Sequence, residues 1–248
     1  MLDRVWRELA RYRDPRQLLD DLKTLRGPVQ RTPEVFIRLF PDALWGHPDR
    51  EQGPLLLTFD DGPVAEITPL VLDSLKRHHV KAVFFLRGDR IEGQEKVIAR
   101  MRREGHSIGY HGASHQAWWF LTRFRRSIEM NPAILPLSKG SPFAGDTPLL
   151  LRPPFGRFDY AAVASAAELN ARLILFSLVV GDWKEGVQAS QISERLLKHA
   201  KPGDIIVLHD GGVNGHLLPR VLDTVLPLWK HAGLRLGSIR EFLAGRAA

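Results

Sequence analysis

Apolar residues follow two alternating rhythms along this chain. From residue 54 onward, short apolar runs are separated by stretches in which apolar positions recur every three or four residues. The runs Leu55–Phe59, Ala82–Leu86, Ser107–Tyr110, Leu149–Leu151, Leu173–Val179, Ile205–Leu208 and Leu234–Leu236 predict seven strands. The spacing between them predicts helices over about 67–78, 92–104, 116–130, 159–169, 189–200 and 217–232, with a last one from Ser238 to Leu243. Strands alternating with helices pair in parallel, with the helices outside. Seven strands are too many for the commonest small doubly wound sheet and one short of an eight-unit barrel. Pro136 to Pro148 holds three Pro, two Gly and two Ser without a period and is expected to be a loop. Upstream, Val5, Trp6 and Leu9, then Leu18, Leu19, Leu22 and Leu25, are spaced as in two short amphipathic helices punctuated by Pro15 and Pro28. We therefore divide the chain into a helical N-terminal extension (1–53) and one α/β domain (54–248).

Composition narrows the class. The 248 residues are 44% hydrophobic and 25% charged, an ordinary globular balance that excludes a disordered chain or a collagen. There is no cysteine, which excludes disulfides, Cys-ligated zinc, iron–sulfur clusters and a thiol nucleophile. With 35 Lys+Arg and 28 Asp+Glu the formal charge is +7. The basic residues are dispersed. Their densest group, Arg123, Arg125 and Arg126, has no interleaved aromatic ladder, so we read it as solvated surface and expect no nucleic-acid partner. The longest apolar stretch, Leu173 to Val180, is broken by Ser177 and far short of the roughly 20 residues a transmembrane helix needs. Charges at Asp3, Arg4, Arg7, Glu8, Arg11, Arg13, Asp14 and Arg16 leave no room for a secretory h-region. The expectation is a cytoplasmic protein, with a weak peripheral hold of those arginines on the inner membrane face. The pattern gives no oligomeric state.

The chemistry clusters just after the apolar runs. Thr58-Phe59-Asp60-Asp61-Gly62-Pro63 ends the first strand with two adjacent carboxylates, which do not both stay ionised cheaply without a nearby cation. A bland alternative is an Asp-Gly turn with solvated acids. His111-Gly112-Ala113-Ser114-His115 follows the third strand, and imidazoles at i and i+4 can share a metal. One carboxylate and two imidazoles would leave a fourth position open, the pattern of a catalytic site. Solvated surface histidines are the bland alternative, to which we assign His78, His79 and His106. Arg152-Pro153-Pro154-Phe155-Gly156, then Gly181-Asp182-Trp183, then Leu208-His209-Asp210 follow later strands. An arginine at the first of these could hold a carboxylate by a bidentate pair. A polar group after a strand, five times in order, is not needed by a core and is what an active site at one barrel face needs.

In this order TFDDGP, HGASH, RPPFG, GDW and IVLHD resemble the five motifs of the polysaccharide deacetylase family, the NodB-like carbohydrate esterase family four. The resemblance covers about residues 54–243. It implies a distorted (β/α)7 barrel and a metal-dependent hydrolase that removes an acetyl group from an N-acetylated sugar or polysaccharide by attack of a metal-activated water. It implies Asp60 as general base, Asp61, His111 and His115 as ligands of one divalent metal, and Arg152 as the residue orienting the base. Asp182 would tune His209, the general acid, while Phe155, Trp183 and Leu208 would border the substrate. Zinc suits the ligand set best, and cobalt or nickel would fit the same donors. The motif departs from the family where Gly112 follows the first histidine in place of Ser or Thr, and where Val179 and Val180 stand in place of an earlier acid. Another small C–N amide as substrate, or a non-catalytic carbohydrate-binding domain, are the competing readings.

Overall fold

The inner elements of the chain are extended where short apolar runs are buried on both faces, and they lie side by side. The computed structural model describes residues 27–135, 142–143 and 148–244; the helices expected within 3–25 fall outside them. Among these residues eight strands form one sheet: β1 (Gln30–Arg31), β2 (Leu56–Asp60), β3 (Val83–Leu86), β4 (Ser107–Tyr110), β5 (Leu149–Leu151), β6 (Ala171–Leu173), β7 (Leu178–Val179) and β8 (Ile205–His209). Their order is β1-β7-β8-β2-β3-β4-β5-β6. β1 is antiparallel to β7 and every other pair is parallel.

Seven strands in parallel would place β7 and β6 about 29 Å apart if flat, at roughly 4.8 Å per interval. Yet they are consecutive in the chain, joined by residues 174–177, a link that reaches about 18 Å at most. The sheet therefore curls into the distorted seven-stranded barrel expected. Leu44 lies in the seam: its N–H donates to the Leu173 carbonyl and its carbonyl accepts from Leu175, both at 2.8 Å.

Among the described residues eight helices accompany the strands: α1 (Glu34–Leu39), α2 (Thr68–Arg77), α3 (Glu95–Arg103), α4 (Arg123–Met130), α5 (Tyr160–Glu168), α6 (Ala189–His199), α7 (Leu218–His231) and α8 (Ile239–Ala244). Successive strand side chains point to opposite faces. One set, including Leu57, Phe59, Phe84, Leu86, Ile206 and Leu208, packs with the helix residues Val71, Leu75, Met101, Leu196 and Val221. The alternate set, Leu56, Val83, Phe85, Leu150, Ile174 and Ile205, fills the barrel interior, where Ile239 and Phe242 of α8 pack against it. The inward parity of β2 and β8 then continues upward through Thr58 and Asp60, and through Val207 and His209.

Three expectations change. The single strand over Leu173–Val179 is two, because Ile174 and Leu175 turn to pair with Leu44 and Ser177 bonds sideways to Asp204 (2.6 Å) and the Ile205 N–H (3.0 Å). Leu234–Leu236 is no strand; it gives one bridge, Leu55 with Leu236. The count of seven parallel strands thus survives two offsetting departures. The helix expected over 116–130 begins only at Arg123. The Trp118 N–H donates to the Arg157 carbonyl (2.9 Å) and the Phe120 N–H to the Asp159 carboxylate (3.0 Å), while Thr122 caps the helix by accepting from Arg125 N–H (3.3 Å).

Residues 28–53 sit within the barrel's own hydrogen bonding. β1 extends the sheet, Gly46 bridges Asp204, and Arg31 pairs with Asp204 at 2.8 Å. His106, expected on the surface, is buried and accepts from the Ala82 N–H (3.2 Å); burial pushes its pKa down to about 4.

Candidate active site

Five strands deliver the polar groups to one mouth. β2 carries Asp60 inward, and Asp61 follows it in the left-handed region at φ 73°. β4 ends at Tyr110, so His111 is next, and the loop beyond brings back His115, itself at φ 60°. Arg152 follows β5, and β8 ends on His209. Gly181 at φ 68°, packed where a Cβ would lie 2.5 Å from the Pro28 carbonyl oxygen, turns the chain after β7 to present Asp182 and Trp183. Left-handed backbone is unfavourable for non-glycine residues, and three of the six that adopt it among the described residues, Asp61, His115 and Phe155 (φ 59°), line this mouth.

The ligand atoms of Asp61, His111 and His115 all lie within 4.8 Å of one another. Asp61 Oδ1 is 3.0 Å from His115 Nε2 and 3.8 Å from His111 Nε2. His111 Nδ1 lies 2.9 Å from the Arg152 carbonyl, an acceptor, so Nδ1 carries the proton and Nε2 turns its lone pair toward Asp61. Burial pushes the His111 pKa down, despite Asp60 and Asp61, and keeps the ring neutral. Burial alone would raise Asp61, but the His115 contact and the nearby His111 and His209 outweigh it and hold the carboxyl well below its usual range. Asp61 Oδ1 is buried with no hydrogen bond. An ionised, unsatisfied oxygen facing two imidazole nitrogens is what a divalent cation would complete.

Beside this triad, Arg152 is fully buried. Its Nη1 donates to Asp60 Oδ1 (2.7 Å) and Thr58 Oγ1 (2.6 Å), and its other nitrogens donate to the carbonyls of Ile174 (3.0 Å) and Leu175 (2.8 Å). Its guanidinium stacks 4.0 Å from the Phe85 ring centroid. With all three of its nitrogens engaged, it fixes the Asp60 carboxylate, whose other oxygen lies 3.8 Å from His111 Nε2.

Opposite, His209 Nδ1 pairs with Asp182 Oδ1 at 3.0 Å, and the His209 N–H donates to Asp182 Oδ2 at 2.7 Å. Burial would lower the imidazole, but Asp182 first, then Asp60 and Asp61, raise its pKa to about 9. The ring is therefore cationic at neutral pH with Nδ1 occupied, leaving Nε2–H as its available acid. Trp183 meets it edge-on at 5.3 Å, and Asn214 holds the carbonyls of Asp182 and Lys184, both at 2.7 Å.

A cavity of about 270 Å³ connects the two sides and is lined by Asp60, Asp61, His111, His115, Phe155, Trp183 and His209, closed by Gln30, Phe176, Val179 and Val207. All the expected site residues but one border it or hold a residue that does. Leu208 is the correction. It is fully buried on the outward face of β8 among the helices, because His209 points inward and the side-chain period is two; Val207 lines the cavity instead.

The motifs did not reveal four supports. Asp210 is fully buried and accepts from Thr68 Oγ1 at 2.5 Å; burial, helped by Asp61 and Asp60, raises it to about 7. A Cβ at Gly62 would fall 2.5 Å from its carboxylate, which is why that turn is glycine. Arg90 Nη1 ties the carbonyls of Asp61 (2.8 Å) and Gly211 (2.9 Å) together. Buried Glu129 accepts from the N–H (3.2 Å) and hydroxyl (2.6 Å) of Ser114, bracing the loop between the two histidines. Gly112, at φ 87°, leaves Glu129 and Trp118 that room. Thr58 donates to the Ile206 carbonyl (2.7 Å) beneath Arg152. Of these, Thr58 and Asp210 stand inside quoted motifs, while Arg90 and Glu129 carry no local signal.

Comparison with known proteins follows the same lines. The polysaccharide deacetylase family model matches residues 47–174. A peptidoglycan-N-acetylglucosamine deacetylase of Bacillus cereus is 35% identical over 206 residues, 82% of this chain and 72% of the relative. A second from the same organism is 34% identical over 203 residues, 80% of this chain and 92% of the relative. Among solved structures, a peptidoglycan N-acetylglucosamine deacetylase in complex with an N-hydroxybenzamide matches with a TM-score of 0.73 at 31% identity, over 84% of this chain and 95% of that one. A family 4 acetyl xylan esterase from Clostridium thermocellum, solved with a cobalt ion, matches with a TM-score of 0.67 at 29% identity, over 77% and 90% of the two chains. With a family match over more than half of its length, and these relatives aligned along most of theirs, the chain belongs to the polysaccharide deacetylase family.

Proposed function

We propose that this enzyme removes the acetyl group from an N-acetylated amino sugar of a glycan, with zinc held by Asp61, His111 and His115. The observation that carries this reading is the pairing, across one small cavity, of a carboxylate with two imidazoles on one wall and the Asp182–His209 pair on the other. A divalent ion at the triad supplies Lewis-acid charge to the acetyl carbonyl and acidity to the attacking water. Cobalt and nickel share the preference for these donors. Asp60, oriented by Arg152, takes the proton of the water as it attacks the carbonyl carbon. His209 gives its Nε2 proton to the departing nitrogen, and Asp182 compensates the imidazolium before that transfer. The C–N bond breaks to give acetate and a free amine. Phe155, Trp183 and Val207 supply an apolar wall sized for a small acyl group. The names of the relatives support a peptidoglycan-type N-acetylglucosamine as the sugar.

The test is acetate release from N-acetylglucosamine oligomers and peptidoglycan, together with metal content by elemental analysis. About one divalent ion per chain is expected, mostly lost in His115→Ala together with activity. Full metal and full activity in that variant would sink the assignment.

A further inference from the structure

Among the described residues, five of the nine large apolar side chains left exposed are Trp119, Phe120, Phe124, Ile128 and Phe155. Phe120 is 87% exposed and Phe124 74%. Folding alone gives no reason to gather such groups on a surface; contiguous exposed apolar patches mark contact sites. The first four follow one another along the chain as an apolar ribbon, whose Trp119 end meets the cavity rim through Arg157. The Trp119 and Phe120 rings are 5.6 Å apart, and the Arg157 guanidinium lies 5.0 Å from Trp119 and 5.8 Å from Phe155. Phe124 and Ile128 stand at i and i+4 on α4, whose opposite face buries Glu129 and Met130.

The ribbon is built rather than incidental. Phe120 sits at φ 56°, unfavourable for a side chain other than glycine. The Asp159 carboxylate holds it there, accepting the Phe120 N–H with one oxygen (3.0 Å) and capping α5 through the Ala162 N–H with the other (2.9 Å). Arg123 and Arg125 are exposed beside Phe124, while Arg126 turns back to donate to the Leu121 carbonyl (2.6 Å). The acids nearby are engaged inward, Glu129 with Ser114 and Asp159 with its two amides. The acceptors that sugar hydroxyls would need are thus turned away, and what faces out is aromatic carbon in a cationic collar. That complements the anionic interface of a bilayer.

We propose that Trp119, Phe120, Phe124 and Ile128, with Arg123 and Arg125, dock on an anionic lipid surface and bring the cavity rim at Phe155 beside the membrane. Docking does not depend on the reaction assigned above. The full-length protein is sedimented with vesicles of phosphatidylcholine containing phosphatidylglycerol, and with vesicles of phosphatidylcholine alone. It should partition onto the first at least tenfold better, and the preference should fade as salt rises. Phe120→Asn with Phe124→Gln should weaken partition at least tenfold; Asn tolerates the left-handed backbone and Gln suits the helix. Arg123→Gln with Arg125→Gln should weaken it about fivefold per arginine on the anionic vesicles only. Both double variants should release acetate from soluble oligomers as the parent does, which certifies their fold. A parent that ignores both vesicle types, or double variants that bind as the parent does, would overturn the proposal. So would aromatic variants that lose retention on insoluble peptidoglycan with vesicle binding intact, which would make the face a glycan subsite. Loss of oligomer turnover in the parent would instead sink the reaction and leave docking standing.

Discussion

The upper and lower halves of the barrel interior are built from the same strands and the same side-chain parity, yet they obey opposite rules. Below, Leu56, Val83, Phe85, Leu150, Ile174 and Ile205 meet Ile239 and Phe242 in an apolar plug. One inward step higher stand Thr58 and Arg152, then Asp60, His111 and His209. Burial in the lower half gains from transfer out of water. Burial in the upper half costs, because charge is desolvated, and the cost is offset by pairing Arg152 with Asp60 and Asp182 with His209, while Asp61 keeps an unsatisfied oxygen among the imidazoles. The comparison teaches that parity decides where a side chain points, while the strand end decides whether stability or chemistry uses it.

Arg152 joins the halves, stacked on Phe85 below and bonded to Asp60 above. Arg152→Met should therefore damage both. We expect an unfolding free energy lower by about 3–5 kcal/mol, since one charge of a buried pair is left alone. A loss of kcat/KM of roughly 10²–10⁴ should accompany it, because the base loses its orientation. A variant that loses one without the other would separate the halves more cleanly than the geometry does.

Next come changes confined to one half. Phe242→Ala should cost about 3–5 kcal/mol in a denaturant titration while leaving metal content and low-temperature turnover unchanged. Asp60→Asn should do the reverse, losing roughly 10²–10⁴ in turnover with the metal retained. Metal loss in Asp60→Asn would make that carboxylate a ligand and redraw the site.

A smaller effect is expected in the pH profile. His209 must be protonated to act as an acid, so activity should fall as pH rises through its value of about 9. Asp182→Asn removes the charge that chiefly lifts it, so the alkaline limb should move down toward an ordinary imidazole near 6.5. An unmoved limb would leave Asp182 only its contacts with the His209 backbone and Trp183. The smallest effects test parity on β8. Val207→Ile intrudes on the cavity and should change kcat/KM about tenfold. Leu208→Met, outward, should leave kinetics alone and cost under about 1.5 kcal/mol.

That last pair also shows what the sequence made legible. The strand runs, their parallel order and the polar residue closing each were readable because apolar periodicity and strand-end chemistry are local. Parity on β8 was readable too: if His209 faces the site, Val207 does and Leu208 cannot. Motif resemblance pointed to the wrong neighbour. The break after Leu173 was hidden, since it depends on Leu44, about 130 residues earlier, entering the seam. Glu129 was hidden because its partner Ser114 is brought to it only by folding. The aromatic face around Phe120 went unread because its residues fall in a segment expected to be helical, where an apolar side would have been turned inward.

β1 bears on how such an enzyme could change its preference. The other strand residues on the cavity wall, Asp60, Val179, Val207 and His209, come from strands flanked on both sides, so each substitution there disturbs a neighbour. Gln30 comes from a two-residue strand at the outermost position of the sheet, fastened from beside it by Arg31 on Asp204 and by Thr32 on the carbonyls of Phe176 (2.6 Å) and Ser177 (3.2 Å). The fasteners and the cavity-facing residue are separate side chains. The segment from 28 to 32 is in that sense a cassette: its one wall position stands apart from the base, the acid and the three candidate ligands, so rewriting it, by drift or by design, changes the wall while those groups stay in place.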